Sequence, residues 1–292
     1  MASNLPDAAA AGRFTIGGDL DVVRLGFGAM RLTADGIWGD PPDRAECIRV
    51  LRRAIELGVD FIDTADSYGP FVSEDLIAEA LHPYPAGLVI ATKGGLTRSG
   101  PGRWEAVGRA EYLRQCVEMS LRRLRLDRID VYQFHRPDPK VPLDESIGAL
   151  KELQDAGKIR HIGVSNFSVD QLATARAIVD VVTVQNRYNL TDRSSDGVLG
   201  VCERDNIGFI PWAPVAGGAL ARSGGTFDKL AADHGLTMSQ LTLAWVLHRS
   251  PVMLPIPGTS KVDHLEENVA AASVALDDAE WAAIEAAAAS SG

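Results

Sequence analysis

FIDTADSYG, spanning Phe61 to Gly69, is the stretch on which the fold turns. Its first residues close a short apolar run, Val59 to Asp63, of the kind a strand shows when both faces are covered. The run ends on a carboxylate, Asp63, and a phenol, Tyr68, follows in the loop beyond it. Upstream, Cys47, Ile48, Leu51, Ala54 and Ile55 share one face of an amphipathic stretch. Asp43 stands where that helix needs a cap, Glu46 follows three residues later, and Gly58 supplies the stop. Helix, strand, polar strand end and loop make one unit.

The rest of the chain repeats it. Besides Val59 to Asp63, apolar runs occupy Leu25 to Ala29, Leu88 to Lys93, Ile129 to His135, Ile159 to Ser165, Val181 to Gln185, Ile207 to Trp212 and Val252 to Ile256. Between them, Leu113, Cys116, Val117, Leu121 and Leu124 form a second helical stripe, and Leu143, Ile147, Leu150 and Leu153 a third that ends at Gly157. Strands alternating with helices predict a parallel sheet with crossovers. Phe14 to Ile16 and Asp21 to Val23 flank Gly17-Gly18, which predicts an N-terminal β-hairpin at the bottom of the structure. A Gly-, Ala- and Ser-rich segment from Val215 to Thr226 predicts a mobile loop after the seventh strand.

A doubly wound sheet is the rival architecture, and it holds dinucleotides on a GxGxxG turn after its first strand. Gly26 and Gly28 fit the first two positions, but Arg31 occupies the third. Eight strand units without that fingerprint predict an α/β chain folded as one closed (β/α)8 TIM barrel over residues 1–292, with residues 1–11 as a flexible leader. In such a barrel the functional groups belong at the C-terminal strand ends.

Charge and composition narrow the function. A formal net charge of -10 argues against nucleic-acid or anionic-membrane partners, because phosphate neutralisation needs clustered Lys and Arg. Hydrophobic residues at 46% contain no run long enough to span a bilayer, so cytoplasmic residence is the default expectation. The three cysteines, Cys47, Cys116 and Cys202, show neither metal-ligand spacing nor an even number for pairing, and the histidines show no HxxxH or HxH. No metal site is expected, and GVSNF around Ser165 lacks the second glycine of a hydrolase elbow.

The strand ends carry the chemistry. Asp63, Tyr68, Lys93 and His135 fall at or just beyond three strand ends in the first half of the chain. Singly each has an ordinary explanation: a helix cap, a loop aromatic, a solvated charge, a core histidine. Together they form a proton-transfer set. An ammonium next to a phenol is expected to depress its pKa, a carboxylate holds the ammonium charged, and a histidine can hydrogen-bond a substrate oxygen.

FIDTADSYG, ATK ending at Lys93 and QFHRPD containing His135 together resemble the aldo-keto reductase family, and the likeness extends over nearly the whole chain. LGFGAM, GPFVSEDLIAEAL and IPGTS resemble most its bacterial members that include pyridoxal reductases. The resemblance implies that Asp63, Tyr68, Lys93 and His135 are the catalytic tetrad, with Tyr68 as general acid, in an enzyme that passes hydride from NADPH to an aldehyde or ketone without a metal. It implies that Ser165, Asn166 and Gln185 hold the nicotinamide carboxamide and that Trp212 stacks on its ring. Ala213, Pro214, Val215, Gly217, Gly218 and Leu220 would follow the pyrophosphate. Thr259, Ser260 and Lys261 would hold the 2'-phosphate, with Glu267 and Asn268 at the adenine. Gly28, Ala29, Met30 and Asp63 near the first strands, and Ile256, Gly258 and His264 near the last segment, complete the implied cofactor set.

Gly258 and His264 stand where many members carry Lys and Arg, so the expectation of NADPH over NADH leans on Lys261. Arg136 follows the histidine where an aromatic residue is frequent. Tyr68, His135, Arg136, Trp38 and Trp104 are the candidate substrate contacts, Ile37 and Phe71 are further wall candidates, and for the two tryptophans loop packing is an equal alternative. The barrel also resembles potassium-channel β subunits, so a cofactor-sensing regulatory subunit is the alternative function. Oligomeric state is left open.

Overall fold

The computed structural model describes residues 5–215 and 226–289. A β-hairpin comes first, β1 (Arg13–Ile16) paired antiparallel with β2 (Leu20–Val23), turning through Gly17 and Gly18, whose positive φ values of 60° and 83° suit glycine. Phe14, Ile16, Leu20 and Val22 share a core cluster with Phe61, Val89, Ile129 and Ile159, which begin four of the sheet's strands. The hairpin therefore closes the N-terminal mouth of the sheet.

Seven parallel strands follow: β3 (Phe27–Gly28), β4 (Phe61–Asp63), β5 (Val89–Gly94), β8 (Ile129–Phe134), β9 (Ile159–Ser165), β10 (Val181–Arg187) and β11 (Gly208–Trp212), hydrogen-bonded in that spatial order. Each was anticipated as a strand. Between β5 and β8 a second hairpin, β6 (Leu96–Gly100) and β7 (Arg103–Ala106), was not. Its strands are short, five and four residues, and mostly polar or half exposed, so the brief alternation of Arg103 to Ala106 is too short to mark a strand in sequence.

The eighth run, 252–256, is extended but only partly laddered. Phe209 N–H donates to Val252 O and Leu254 N–H to Phe209 O, both at 2.8 Å, while Gly26 and Gly28 N–H donate to Pro255 O (3.0 Å) and Pro257 O (3.4 Å). These bonds join β11 to β3 and complete the barrel. Prolines 255 and 257 offer carbonyls but no N–H, so half of a regular ladder cannot form. Gly28 and Gly258 let the seam close. A Cβ on Gly28 would stand 2.5 Å from Ile256 O, and one on Gly258 would overlap Gly28 O.

The helices wrap outside. α1 (Arg44–Glu56) is capped by Asp43, which accepts from Glu46 N–H at 2.9 Å, yet the reciprocal half of the capping box is absent. Glu46 instead accepts from Val262 N–H at 3.1 Å, tying α1 to the last segment. α2 (Val72–Leu81) follows β4, α3 (Ala110–Leu124) and α4 (Leu143–Asp155) follow the predicted stripes, and no described helix is long and apolar enough to cross a membrane. The expected leader needs correction at its far end: Ala8–Ala11 form a 3-10 turn, with Ala8 and Ala11 buried and Ala8 N–H on Leu57 O at 2.8 Å. Alanine is small enough to pack where the helix α1 stops at Gly58, and Asp7 caps the turn through Ala9 N–H.

Candidate active site

Parallel strands point their C-terminal ends at one rim, and there Asp63 (end of β4), Lys93 (in β5) and His135 (just past β8) converge with Tyr68 from the turn after β4. Lys93 is fully buried, and its ammonium donates to Asp63 Oδ2 at 2.6 Å, Thr64 O at 2.9 Å and Tyr68 Oη at 3.2 Å. An ammonium has three N–H donors, so all are engaged. Asp63 Oδ1 accepts from Gln133 Nε2 and Gln185 Nε2, each at 2.8 Å. The carboxylate is thus fixed from two sides by neutral amides and from a third by charge.

Burial sets the titration of this corner. It pushes the Tyr68 phenol above its ordinary value, and Lys93 beside it offsets only part of that push, so the expected depression of the phenol is overturned. The phenol stays protonated. Burial opposes the Lys93 ammonium too, but Asp63 and then Tyr68 outweigh it, and the net shift is upward. His135, 8% exposed, is held well below its ordinary value by burial, reinforced by Lys93, Arg136 and Arg98. It is neutral. Its Nδ1 lies 3.3 Å from Ser67 Oγ, and its ring meets that of Tyr68 edge-on at 5.8 Å.

Beneath the tetrad lies Asp66, buried, with Oδ1 lacking a hydrogen-bond partner among the described residues. Burial and the charge of Glu74 raise its carboxyl to about 7, against the opposing pull of the Cys116 thiol and Arg123. Glu74 itself is buried and paired with Arg123 at 2.6 Å.

A cavity of about 710 Å³ opens over the corner. Tyr68, His135, Arg136, Trp104, Ile37 and Leu96 line one part of it, and Asp63, Ser165, Asn166, Gln185, Trp212 and Ala213 to Val215 another. Gly28, Met30, Ile256, Gly258, Thr259, His264, Glu267 and Asn268 line the part along the seam. Within it Asn166 adopts a left-handed φ of 61°, which turns its amide so that Nδ2 donates to His135 O at 3.1 Å and Oδ1 accepts from Trp212 Nε1 at 3.2 Å. The predicted residues on strands β9, β10 and β11 are therefore brought together. Gln185 reaches the cavity, but its amide nitrogen is engaged by Asp63 rather than left for a carboxamide.

Several expectations fall outside this lining. Ala29 is fully buried behind it. Lys261 and Ser260 do not line it: Lys261 is exposed at the start of the helix Val262–Ala270, with its backbone N–H on Thr259 Oγ1 at 3.1 Å. Trp38 does not line it either, and Phe71 faces solvent under Arg123, whose guanidinium lies 4.2 Å from the ring centroid. Gly217, Gly218 and Leu220 lie outside the described residues. Missed by sequence were Gln133, Ser239 and above all Arg31, an exposed cation on the cavity wall whose Cγ lies 3.7 Å from the position of a Cβ on Gly258. The signal for Arg31 was present, as the cation that breaks the GxGxxG pattern immediately after the first strand.

The barrel with this tetrad at its rim belongs to the aldo/keto reductase family, whose model matches residues 24–289. A Schizosaccharomyces pombe protein described as an uncharacterized oxidoreductase is 52% identical over 97% of this chain and 92% of its own. The pyridoxine 4-dehydrogenase of Escherichia coli is 41% identical over 91% of this chain and 94% of its own. A crystal structure of an aldo/keto reductase from Klebsiella pneumoniae in complex with NADP and acetate superposes with a TM-score of 0.79 at 27% identity, covering 94% of each chain.

Proposed function

We propose that this chain reduces an aldehyde or ketone to the alcohol with NADPH as reductant and Tyr68 as the proton donor. One observation carries the reading: a buried ammonium bonded at once to Asp63 and to the phenol of Tyr68, both of which line a large cavity. The donor set suits a nicotinamide dinucleotide. Ser165 and Asn166 offer the hydroxyl and amide a carboxamide needs, Trp212 offers a flat face, and Arg31, Thr259 and His264 offer a cation, a hydroxyl and an imidazole for a phosphate. The neighbour crystallised with NADP supports the same choice.

When bound, the dihydronicotinamide supplies hydride to the carbonyl carbon. Tyr68 Oη gives its proton to the oxygen, and Lys93 stabilises the phenolate left behind. Asp63, held by Gln133 and Gln185, keeps Lys93 in place and charged. With Nδ1 turned to Ser67 and Nε2 without a partner among the described residues, His135 can hydrogen-bond the carbonyl oxygen as charge builds there. Arg136, exposed at the rim, meets a polar or anionic group of the substrate. Cytoplasmic residence is part of this reading and rests on composition.

The test is NADPH consumption across aldehydes, ketones, sugars and pyridoxal, the last included because of the pyridoxine 4-dehydrogenase relative. Consumption with at least one carbonyl is expected. Tight NADPH binding with no consumption across the panel would favour the cofactor-sensing subunit instead.

A further inference from the structure

Hairpin β6–β7 carries a half-buried side chain that proton transfer does not use. Arg98 on β6 has five N–H donors, and its nitrogens end on five backbone carbonyls. Nε donates to Arg103 O at 2.8 Å, Nη1 to Ile37 O at 2.8 Å and Ser67 O at 2.7 Å, and Nη2 to Gly36 O at 2.8 Å and Gly100 O at 3.5 Å. These acceptors come from three segments: the loop after β3, the turn that bears Tyr68, and the hairpin itself. No carboxylate is among them, so the fork acts by geometry rather than by neutralising charge.

The flat group also lies over two indoles, 3.5 Å from the Trp104 ring centroid and 5.6 Å from that of Trp38. Trp104 in turn meets Tyr68 edge-on at 6.3 Å and stands 6.5 Å from His135, lining the cavity beside Leu96 and Ile37. One guanidinium therefore fixes both the carbonyl of Ser67, whose hydroxyl contacts His135, and the wall in front of the phenol.

We propose that Arg98 is a positioning residue that sets substrate shape. By pinning Trp104 and the Ser67 turn it keeps a rigid flat wall beside Tyr68 and favours flat aldehydes over small flexible ones. The selectivity part rests on the reductase reading. The pinning part does not.

Kinetics with benzaldehyde and propanal, with NADPH affinity and Tm recorded for each protein, test both parts on wild type, R98K, R98M, W104L and R98M/W104L. R98M is expected to raise KM for benzaldehyde about tenfold while the propanal kcat/KM moves about twofold or less, at unchanged NADPH affinity. R98K keeps the charge but has three donors and no flat face, so it should behave as R98M does. The double variant should be no worse than W104L, because the wall that Arg98 holds is already gone. Additive effects, or equal losses on both aldehydes, overturn the proposal. Hydrogen exchange supplies a readout independent of turnover: R98K and R98M should both speed exchange in 96–106 and 64–71, and unchanged exchange in both variants overturns the pinning. A wild type that reduces neither aldehyde while R98M speeds exchange condemns the choice of substrate and not the tie.

Discussion

Lys93 and Lys261, neither of which lines the cavity, live in opposite surroundings. Lys93 has no exposed surface, and every ammonium hydrogen has a named partner. Lys261 is exposed at a helix start, with its charge turned to solvent and toward Glu46. The difference extends to everything near them. Around Lys93, burial and a handful of fixed dipoles decide which groups are charged, and small displacements matter. Along the seam, two glycines and a pair of prolines decide how closely the chain approaches itself, and the side chains of Arg31 and His264 are exposed on the cavity wall. In the proposed reading, chemistry falls where geometry is over-determined, and recognition of the cofactor where it is not.

The largest effect expected is at the phenol. Tyr68→Phe keeps the ring contacts with Trp104 and His135 but removes the proton, so carbonyl reduction should fall on the order of 100-fold to 10,000-fold. NADPH titration should show affinity within about twofold of wild type, because none of the seam is touched. Turnover that survives the substitution would show that the corner is not the acid.

Lys93→Met probes the same corner through stability. Removing one member of a buried ion pair typically costs about 3–5 kcal/mol, because the remaining charge is stranded. Asp63 keeps its two amide donors and can take up a proton, so the lower end of that range is expected from denaturant unfolding. Arg44→Ala breaks the exposed pair with Glu79 and should cost about 1 kcal/mol or less. Equal losses would mean that the two surroundings do not differ as described.

Asp66 lies three residues from Asp63 and has no lysine. Its folded carboxyl titrates at about 7 and its unfolded one near the ordinary carboxylate value, so between these the native state holds the extra proton. Stability contributed by the protonated form is therefore complete at low pH and is lost as pH rises toward 7. Relative to Asp66→Asn, which stays neutral, the wild type should lose on the order of 1 kcal/mol per pH unit across that window and nothing further above it. Parallel stability curves for the two proteins would contradict the assignment.

How much of this was legible in the sequence follows from the same contrast. Seven strands and the convergence of Asp63, Tyr68, Lys93 and His135 could be read because buried strands need apolar runs and because Asp63, Lys93 and His135 sit at run ends. The eighth run was read as a strand, yet its prolines leave it with only half a ladder. The hairpin of Arg98 and Trp104 was invisible because its contacts are carbonyls and ring faces, which any sequence possesses. The upward shift of Tyr68 was misjudged for a related reason: residue types reveal the neighbouring ammonium, but the depth of burial that outweighs it belongs to the fold. Lys261 stands out in sequence because it sits in a motif, and Arg31 only as a break in one, whereas which cation faces the cavity depends on backbone direction.

At the seam the expected effects are smaller. Gly258→Ala forces a methyl group against Gly28 O, and overpacking of this kind costs about 1–3 kcal/mol, read as a lowered Tm. If Tm is unchanged, the seam relaxes more readily than its contacts imply.

The smallest effect separates the two seam cations. Arg31 lines the cavity beside Gly258, and among the described residues it has no ion-pair partner, so its guanidinium is available to an anion. Loss of a charged hydrogen bond is worth roughly 1.5–3 kcal/mol when the contact is desolvated and less when it is wet. Arg31 is exposed, which places the expected loss at about tenfold or below in NADPH affinity for Arg31→Ala. NADH lacks the 2'-phosphate, so its affinity should change less if that phosphate is the group Arg31 meets, and equally if Arg31 meets the pyrophosphate. Lys261→Ala should alter NADPH affinity less than Arg31→Ala does, because its side chain lies outside the cavity wall. The reverse order would mean that Lys261 swings inward when the cofactor arrives, and the solvent-exposed seam would then be the part of the molecule that moves.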